Sequence, residues 1–194
     1  MTAMGRYADD HHTHHAVARR SPTDVLRDEH VLILRALTVA DALAGAVTRG
    51  GPLDRAALGR LVDFLRAFAD RCHHGKEEAH LFPAMAKHGV PVEGGPLGVM
   101  QEEHEEGRRF IAAMSGPDDA AVAAAIGAYV ALLRAHIDKE DGVLFPIAEG
   151  VLPPEEQSRL AKVFDTVEQE EIGPGEHERL VGELARLEAA VAVR

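Results

Sequence analysis

An eleven-residue segment containing a histidine and two acidic residues occurs twice in the chain. The copies begin at His73 and His136 and share the pattern H-x-x-K-E-[ED]-x-x-L-F-P. Residues four apart on an α-helix lie one turn apart on the same face. His73 with Glu77, and His136 with Glu140, can therefore each converge on one buried point.

A Glu-His pair precedes each copy, Glu29-His30 before the first and Glu103-His104 before the second. Both histidines interrupt apolar helical stripes, which places them toward a core. A buried imidazole needs a hydrogen-bond partner or a metal ion. Together with the two repeats, the pairs form a set typical of a carboxylate-bridged centre of two metal ions, and imidazole with carboxylate favours iron or manganese over metals that prefer thiolates.

The first copy contains a second pair with the same spacing, His74 and Glu78. Alignment of the two copies on Lys-Glu and Leu-Phe-Pro favours His73 and Glu77 as the donors. His74 and Glu78 remain second choices.

The composition is that of a soluble helical domain. Of 194 residues 46% are hydrophobic, aromatics make up only 4%, and no tryptophan is present. The net charge of −11 is the opposite of a nucleic-acid-binding surface, so DNA and RNA are excluded as direct partners. We expect no membrane span and no signal segment. The single cysteine, Cys72, excludes an internal disulfide and indicates a reducing cytoplasm, with the thiol packed in the core.

Helix signals divide the chain into three parts. Residues 1–20, with His11, His12, His14 and His15, are predicted to be a mobile tail. Residues 21–150 are predicted to form an all-α, up-down antiparallel four-helix bundle. The predicted helices run from Ser21 to Arg49, from about Leu53 to Lys87, from the end of the Gly89–Pro96 loop to Ser115, and from Pro117 to Phe145.

Residues 151–194 are predicted to add two short helices that pack on the bundle. Glu171 and His177 lie in this extension, where His177 either covers the end of the bundle or supplies a further ligand. Within the bundle, Pro83 and Pro146 lack the backbone N–H that a helix interior needs. We expect both to kink or end their helices just beyond the metal.

The order of these residues resembles the hemerythrin-like HHE cation-binding family. The resemblance covers roughly residues 24–149, and the combined motif is specific although each His-x-x-x-Glu alone is weak. It implies a four-helix bundle with a non-haem centre of two iron ions, bridged by oxide or hydroxide when oxidised. It also implies bridging carboxylates from Glu77 and Glu140 and histidine ligands His30, His73, His104 and His136, two per iron.

The chain departs from the oxygen-carrying members of that family at two positions. Arg108 stands where they have a further histidine one turn after His104, and the repeat favours Glu140 over Asp141 as the bridge. Fewer nitrogen ligands leave a more open site. The four-His, two-Glu pattern is more similar to the di-iron proteins that repair iron-sulfur clusters.

Other side chains are candidates for supporting roles. His80 lies two turns after His73, where it can donate a proton or supply an additional ligand. Tyr129 lies two turns before His136, where its hydroxyl can hydrogen-bond near bound oxygen. Alternatively, both side chains simply fill the ends of the bundle. Glu29 and Glu103 are expected at the edge of the bundle or as partners that orient the imidazoles.

These residues predict a cytoplasmic protein that binds, and senses or reduces, oxygen, peroxide or nitric oxide. A peroxidase-like, catalase-like or oxidase enzyme is one alternative, and an iron store or donor for iron-sulfur repair is another.

Overall fold

The computed structural model describes residues 20–192, and within that range every regular element is a helix. The predicted histidine-rich tail falls on residues 1–19 and lies outside the described residues. The all-α expectation is confirmed. The described residues form six continuous helical runs, the same number as the four long and two short helices that the sequence predicted.

The first helix, α1 (Pro22–Thr48), begins as the sequence predicts. Ser21 caps it in a capping box with Asp24, and Pro22 occupies the first turn. Its buried face carries Leu26, His30 and Ile33 in succession, so the imidazole lies within an apolar stripe.

The second helical run changes hydrogen-bonding pattern along its length without breaking. It comprises α2 (Arg55–Phe64), the π-helical segments π1 (Leu65–His74) and π2 (Glu77–Leu81), and α3 (Phe82–Lys87). The helix does not end at Pro83, and the expected kink there stays a prediction. Pro83 falls in the first turn of α3, where its missing N–H is tolerated, and a widened π turn comes just before it.

The third and fourth runs repeat this construction. They are α4 (Pro96–Ala113), followed by α5 (Asp119–Lys139), π3 (Glu140–Leu144) and α6 (Phe145–Val151). Pro146 again lies in the first turn after a π segment, so the fourth run also continues to Val151 instead of ending at Phe145. π-helical turns are frequent at functional sites, and here each of the two follows a Lys of the repeat.

The C-terminal extension forms two helical runs. It contains α7 (Pro154–Thr166), π4 (Val167–Ile172) and α8 (Glu176–Ala192). Helix α8 packs against α1 and α2 and buries Leu180, Leu184 and Leu187 in the same core as the bundle. The extension is therefore part of the hydrophobic core.

Two apolar clusters lie on either side of a layer of buried polar residues. Along α1, Leu26 belongs to one cluster and Ile33 to the other, with His30 between them. The order of the two clusters reverses in each successive run: the pairs are Phe68 and Leu81, Met100 and Ile111, and Leu133 and Leu144. Helix α1 packs against α5 and π1, and α4 packs against the same two segments. Four runs thus surround the polar layer.

Two helices are long and apolar enough to cross a membrane, by length and composition alone. They are α1 and the continuous run Asp119–Val151. Length and composition alone do not test the expectation of no membrane span, which stays a prediction. Both helices carry residues of the buried polar layer, and core helices of soluble bundles share such length and composition.

Candidate metal centre

Four histidines meet in the polar layer as two pairs. The Nε2 atoms of His30 and His73 lie 3.0 Å apart, and those of His104 and His136 lie 3.1 Å apart. All four side chains are about 1% exposed. Each pair joins histidines from two different helical runs, so the four runs converge here as the sequence predicted.

The other nitrogen of each ring is held by a carboxylate. An ionised carboxylate only accepts hydrogen bonds, so each Nδ1 carries the proton and donates it. In the neutral form of each ring the lone pair then lies on Nε2, which faces inward. The pairs are His30 with Asp141 at 2.9 Å, His73 with Glu29 at 2.9 Å, His104 with Glu78 at 2.6 Å and His136 with Glu103 at 2.9 Å.

Two further carboxylates occupy the space between the histidine pairs. Glu77 and Glu140 are fully buried. Oε2 of Glu77 lies 3.7 Å from Nε2 of His73 and 3.6 Å from Nε2 of His104, so this carboxylate spans both pairs. The oxygens of Glu140 lie 3.1 Å from Nε2 of His30 and 3.2 Å from Nε2 of His136. Each carboxylate therefore faces one histidine of each pair.

These atoms leave hydrogen-bonding capacity that the protein itself does not satisfy. Both oxygens of Glu77 and Oε1 of Glu140 are buried without a hydrogen-bond partner. Two imidazole lone pairs about 3 Å apart repel each other unless a proton or a cation lies close to both. A pair of metal ions would satisfy every one of these atoms, so the donor set fits a centre of two cations.

The donors form two groups that share Glu77. His30, His73, Glu77 and Glu140 make up the first position, and His74, Glu77, His104 and His136 make up the second position. Within each group the candidate ligand atoms lie within 4.8 Å of one another. The geometry thus adds His74 to the six residues that the sequence favoured.

Without a cation, the acidic and basic groups perturb one another strongly. Burial and the neighbouring Glu140 raise the pKa of Glu77 well above its usual value. Burial opposes ionisation of Glu140 as well, but contact with His136 outweighs it and lowers the pKa of Glu140. Burial also opposes protonation of His30, yet Asp141 and Glu140 raise its pKa to about 9. Protons thus occupy the place of positive charge that metal ions would supply.

The lysine of each repeat has a role that the sequence analysis missed. Lys76 contacts Glu29, which holds His73, and Lys139 contacts Glu103, which holds His136. Both copies therefore contain the same chain of contacts, from lysine to glutamate to imidazole. The signal was present in the sequence, because the lysine is retained in both copies while the two positions before it differ.

The last acidic residue of each repeat accepts a hydrogen bond from a histidine of the other histidine pair. Glu78 of the first copy holds His104, and Asp141 of the second copy holds His30. Glu78 thus orients an imidazole, and the structure gives it no place in either donor group. Arg108, one turn after His104, turns toward Asp70, Glu78 and Glu105.

The C-terminal extension makes the two halves of the centre unequal. Glu168 pairs with Lys76, whose side chain is 0% exposed. Lys139 pairs with Glu103, and its side chain is 42% exposed. The thiol of Cys72 donates to Glu168, and burial raises its pKa. The ammonium of Lys76 sits among Glu29, Cys72 and Glu168, so this third group of possible ligands already contains a positive charge.

A cavity of about 660 Å³ opens beside this network, between α1 and the extension. Glu29, Glu168 and His177 contribute to its wall. The carboxylate that holds His73 is thus part of the cavity wall, although Glu29 is only 3% exposed.

Besides Glu78, three sequence candidates lie outside both donor groups. His177 stacks on Phe68 at 5.3 Å and lies 3.7 Å from Glu168. His80 lines a surface depression next to α7. Tyr129 is buried in the larger apolar cluster, and its hydroxyl has no hydrogen-bond partner.

Comparison with known proteins agrees with this geometry. Uncharacterized proteins of Mycobacterium bovis and Mycobacterium tuberculosis are each 24% identical to the chain over 183 residues, covering 89% of this chain and 71% of each relative. No solved structure matches the chain. The hemerythrin HHE cation-binding domain model matches residues 21–148, which include every residue of the two donor groups. The chain belongs to the hemerythrin HHE cation-binding domain family.

Proposed function

We propose that the protein holds a non-haem di-iron centre and uses it to bind, and to sense or reduce, oxygen, peroxide or nitric oxide. The observation that carries the proposal is the set of four inward-facing imidazole nitrogens around two buried, unpartnered carboxylates. We also infer that the four surrounding runs form an up-down bundle, which the alternating order of the two apolar clusters supports.

The chain's own residues define what such a centre can do. Iron ions held here would supply two adjacent metals that can each change charge by one. The carboxylates Glu29, Glu78, Glu103 and Asp141 keep the protons on the outer ring nitrogens, so the inner nitrogens stay available as ligands. Glu77 and Glu140 supply two negative charges that offset part of the charge of two cations.

Burial restricts what reaches the centre. The favoured donors are all about 1% exposed or less, and apolar clusters cover the layer on both sides. A ligand must therefore be small, which favours a diatomic molecule or peroxide over a larger substrate. An iron donor for iron-sulfur repair would require rapid exchange of iron, and deep burial of the centre disfavours such exchange. A cytoplasmic location is part of the proposal and is supported by the single buried thiol, Cys72.

Metal analysis and optical spectroscopy of the purified protein test the proposal. We expect two irons per chain and a spectrum that changes when oxygen, peroxide or nitric oxide is added to the reduced protein. Rapid consumption of peroxide, lost in Glu77→Ala, would assign an enzyme. A stable spectral change without turnover would assign binding or sensing. Protein that takes up no iron under anaerobic reconstitution would contradict the proposal.

A further inference from the structure

We propose that His74 is a fifth nitrogen donor to the centre and that it makes the two metal positions chemically unlike. The second position then has three imidazoles and Glu77, whereas the first has two imidazoles with Glu77 and Glu140. This inference rests on the proposed function, since it concerns the same pair of ions.

The first argument is the unsatisfied burial of His74. Its side chain is 5% exposed, and neither ring nitrogen has a hydrogen-bond partner. The nearest charged group, a carboxylate oxygen of Asp70, is 3.7 Å from Nδ1, beyond hydrogen-bonding distance. The four other buried histidines each have a carboxylate on Nδ1. A buried imidazole with two orphaned nitrogens is costly unless something binds it.

The second argument is the position of the ring. It stacks on His104 with centroids 3.8 Å apart and an angle of 16°, and it meets His136 edge-on at 5.9 Å. A candidate nitrogen of His74 lies within 4.8 Å of the ligand atoms of Glu77, His104 and His136. Donors bound to one ion at about 2.1 Å are at most about 4.2 Å apart, so the four atoms are close to that spacing. Because the His74 and His104 rings are nearly parallel, the His74 ring must also turn out of the stack before its lone pair points at the same cation.

The third argument concerns the residues that could compete for this place. Arg108 is one turn after His104, but its guanidinium pairs with Asp70, Glu78 and Glu105. His80, one helical segment further on, is outside both donor groups. Among the described residues, His74 is therefore the additional histidine nitrogen at the second position.

Unlike ligand sets give the two positions unlike metal preferences. Imidazole suits iron, zinc and copper, whereas carboxylate oxygen favours manganese and other hard ions. The second position is richer in nitrogen and the first is richer in oxygen. We therefore expect ferrous iron to load in two resolved steps and to give two distinct iron environments.

Anaerobic titration with ferrous iron, combined with Mössbauer spectroscopy of the ⁵⁷Fe-loaded protein, tests the assignment. His74→Phe keeps a flat ring against His104 but removes both nitrogens. We expect it to weaken one of the two binding steps at least tenfold and to change one of two quadrupole doublets. His80→Phe, the matched control, should retain both steps and both doublets.

A second variant covers the case in which His74→Phe does not fold, as judged by circular dichroism. In His74→Gly, added imidazole should restore the weakened step, whereas His80→Gly should bind iron normally without it. Two wild-type binding steps and unchanged doublets in either His74 variant would overturn the inference while leaving the proposed function intact. A wild-type protein that binds no iron would overturn both.

Discussion

At the scale of single residues, the orientation of each imidazole decides whether the centre can form. A neutral histidine can present either nitrogen, and the carboxylate on Nδ1 selects the tautomer whose Nε2 faces inward. All four favoured histidines are held in this way. The four donor nitrogens therefore face inward before any cation binds.

Loss of one inward histidine should empty one position. We expect His104→Ala to lower the iron content from two toward one per chain, because its Nε2 belongs to the second position. His177→Ala is the comparison, since this ring stacks on Phe68 outside both donor groups and its loss should leave the iron content unchanged. Iron analysis after anaerobic loading checks both, and full iron content in His104→Ala would contradict the assignment.

Loss of an outer carboxylate should weaken the centre without removing a donor. Glu103 accepts from Nδ1 of His136, and partners of this kind are worth about 10–100-fold in metal affinity. We expect Glu103→Ala to lower the affinity for ferrous iron by that amount. Glu102→Ala changes the exposed neighbour and should bind as the wild type does. Equal affinities in a competition titration with a chelator would refute the role of Glu103.

At the scale of helices, the sequence predicted the four bundle runs closely but not their π segments. A single widened turn barely changes the period of the apolar stripe, so it is hard to see in a pattern. Pro83 was interpreted as a break because its lost hydrogen bond was considered without the adjacent π turn.

The inner donors were predictable because the sequence patterns that contain them occur twice. Contacts made by residues that occur in one copy alone could not be predicted in this way. Lys76 and Lys139 were visible as a shared position, although their partners were not assigned. Glu168 has no counterpart in the repeat, and its contact with Lys76 depends on how π4 packs against the bundle. His74 was ambiguous because its spacing to Glu78 equals that of His73 to Glu77, and only tertiary packing separates the two pairs.

The contact between the extension and the bundle should contribute to stability in a pH-dependent way. Burial opposes ionisation of Glu168, but His177 and Lys76 outweigh it and lower its pKa to about 2. A lowered pKa stabilises the fold above the unfolded value of about 4.5, and this stabilisation is lost as pH falls from there toward 2. Because removing one partner of a buried pair costs about 3–5 kcal/mol and Glu168 is partly exposed, we expect Glu168→Gln to cost about 2 kcal/mol at pH 7.

Urea unfolding of Glu168→Gln and the wild type at pH 7 and pH 3 measures this contribution. The difference between the two proteins should shrink at the lower pH. Glu170→Gln, a change of an exposed acid in the same π segment, is a suitable control and should match the wild type at both pH values. A difference that is the same at pH 3 and pH 7 would show that Glu168 acts through packing and not through its charge.

At the scale of the whole molecule, the polar layer is a destabilising feature of the metal-free fold. Buried carboxylates and imidazoles lie between two apolar clusters, where an unpaired charge is costly. Cations that bind the folded protein and not the unfolded chain stabilise it through linkage. Metal binding and folding are therefore expected to be coupled, and protons are expected to compete with the metal.

That competition makes the stabilising effect of iron depend on pH. In the metal-free protein Asp141 and Glu140 outweigh burial and raise the pKa of His30 to about 9. A raised pKa stabilises the fold fully below the unfolded value of about 6.5, and that stabilisation is lost as pH rises through 9. Iron requires the neutral ring, so raising the pH weakens the metal-free fold and removes the competing proton.

Thermal unfolding under nitrogen, in chelator and in ferrous iron, measures this effect. The gap between the two free energies of unfolding should widen from pH 6.5 to pH 8.5 by about 2 kcal/mol, since one proton contributes about 1.4 kcal/mol per pH unit. A gap that stays constant or narrows would mean that His30 does not lose a proton when the metal binds.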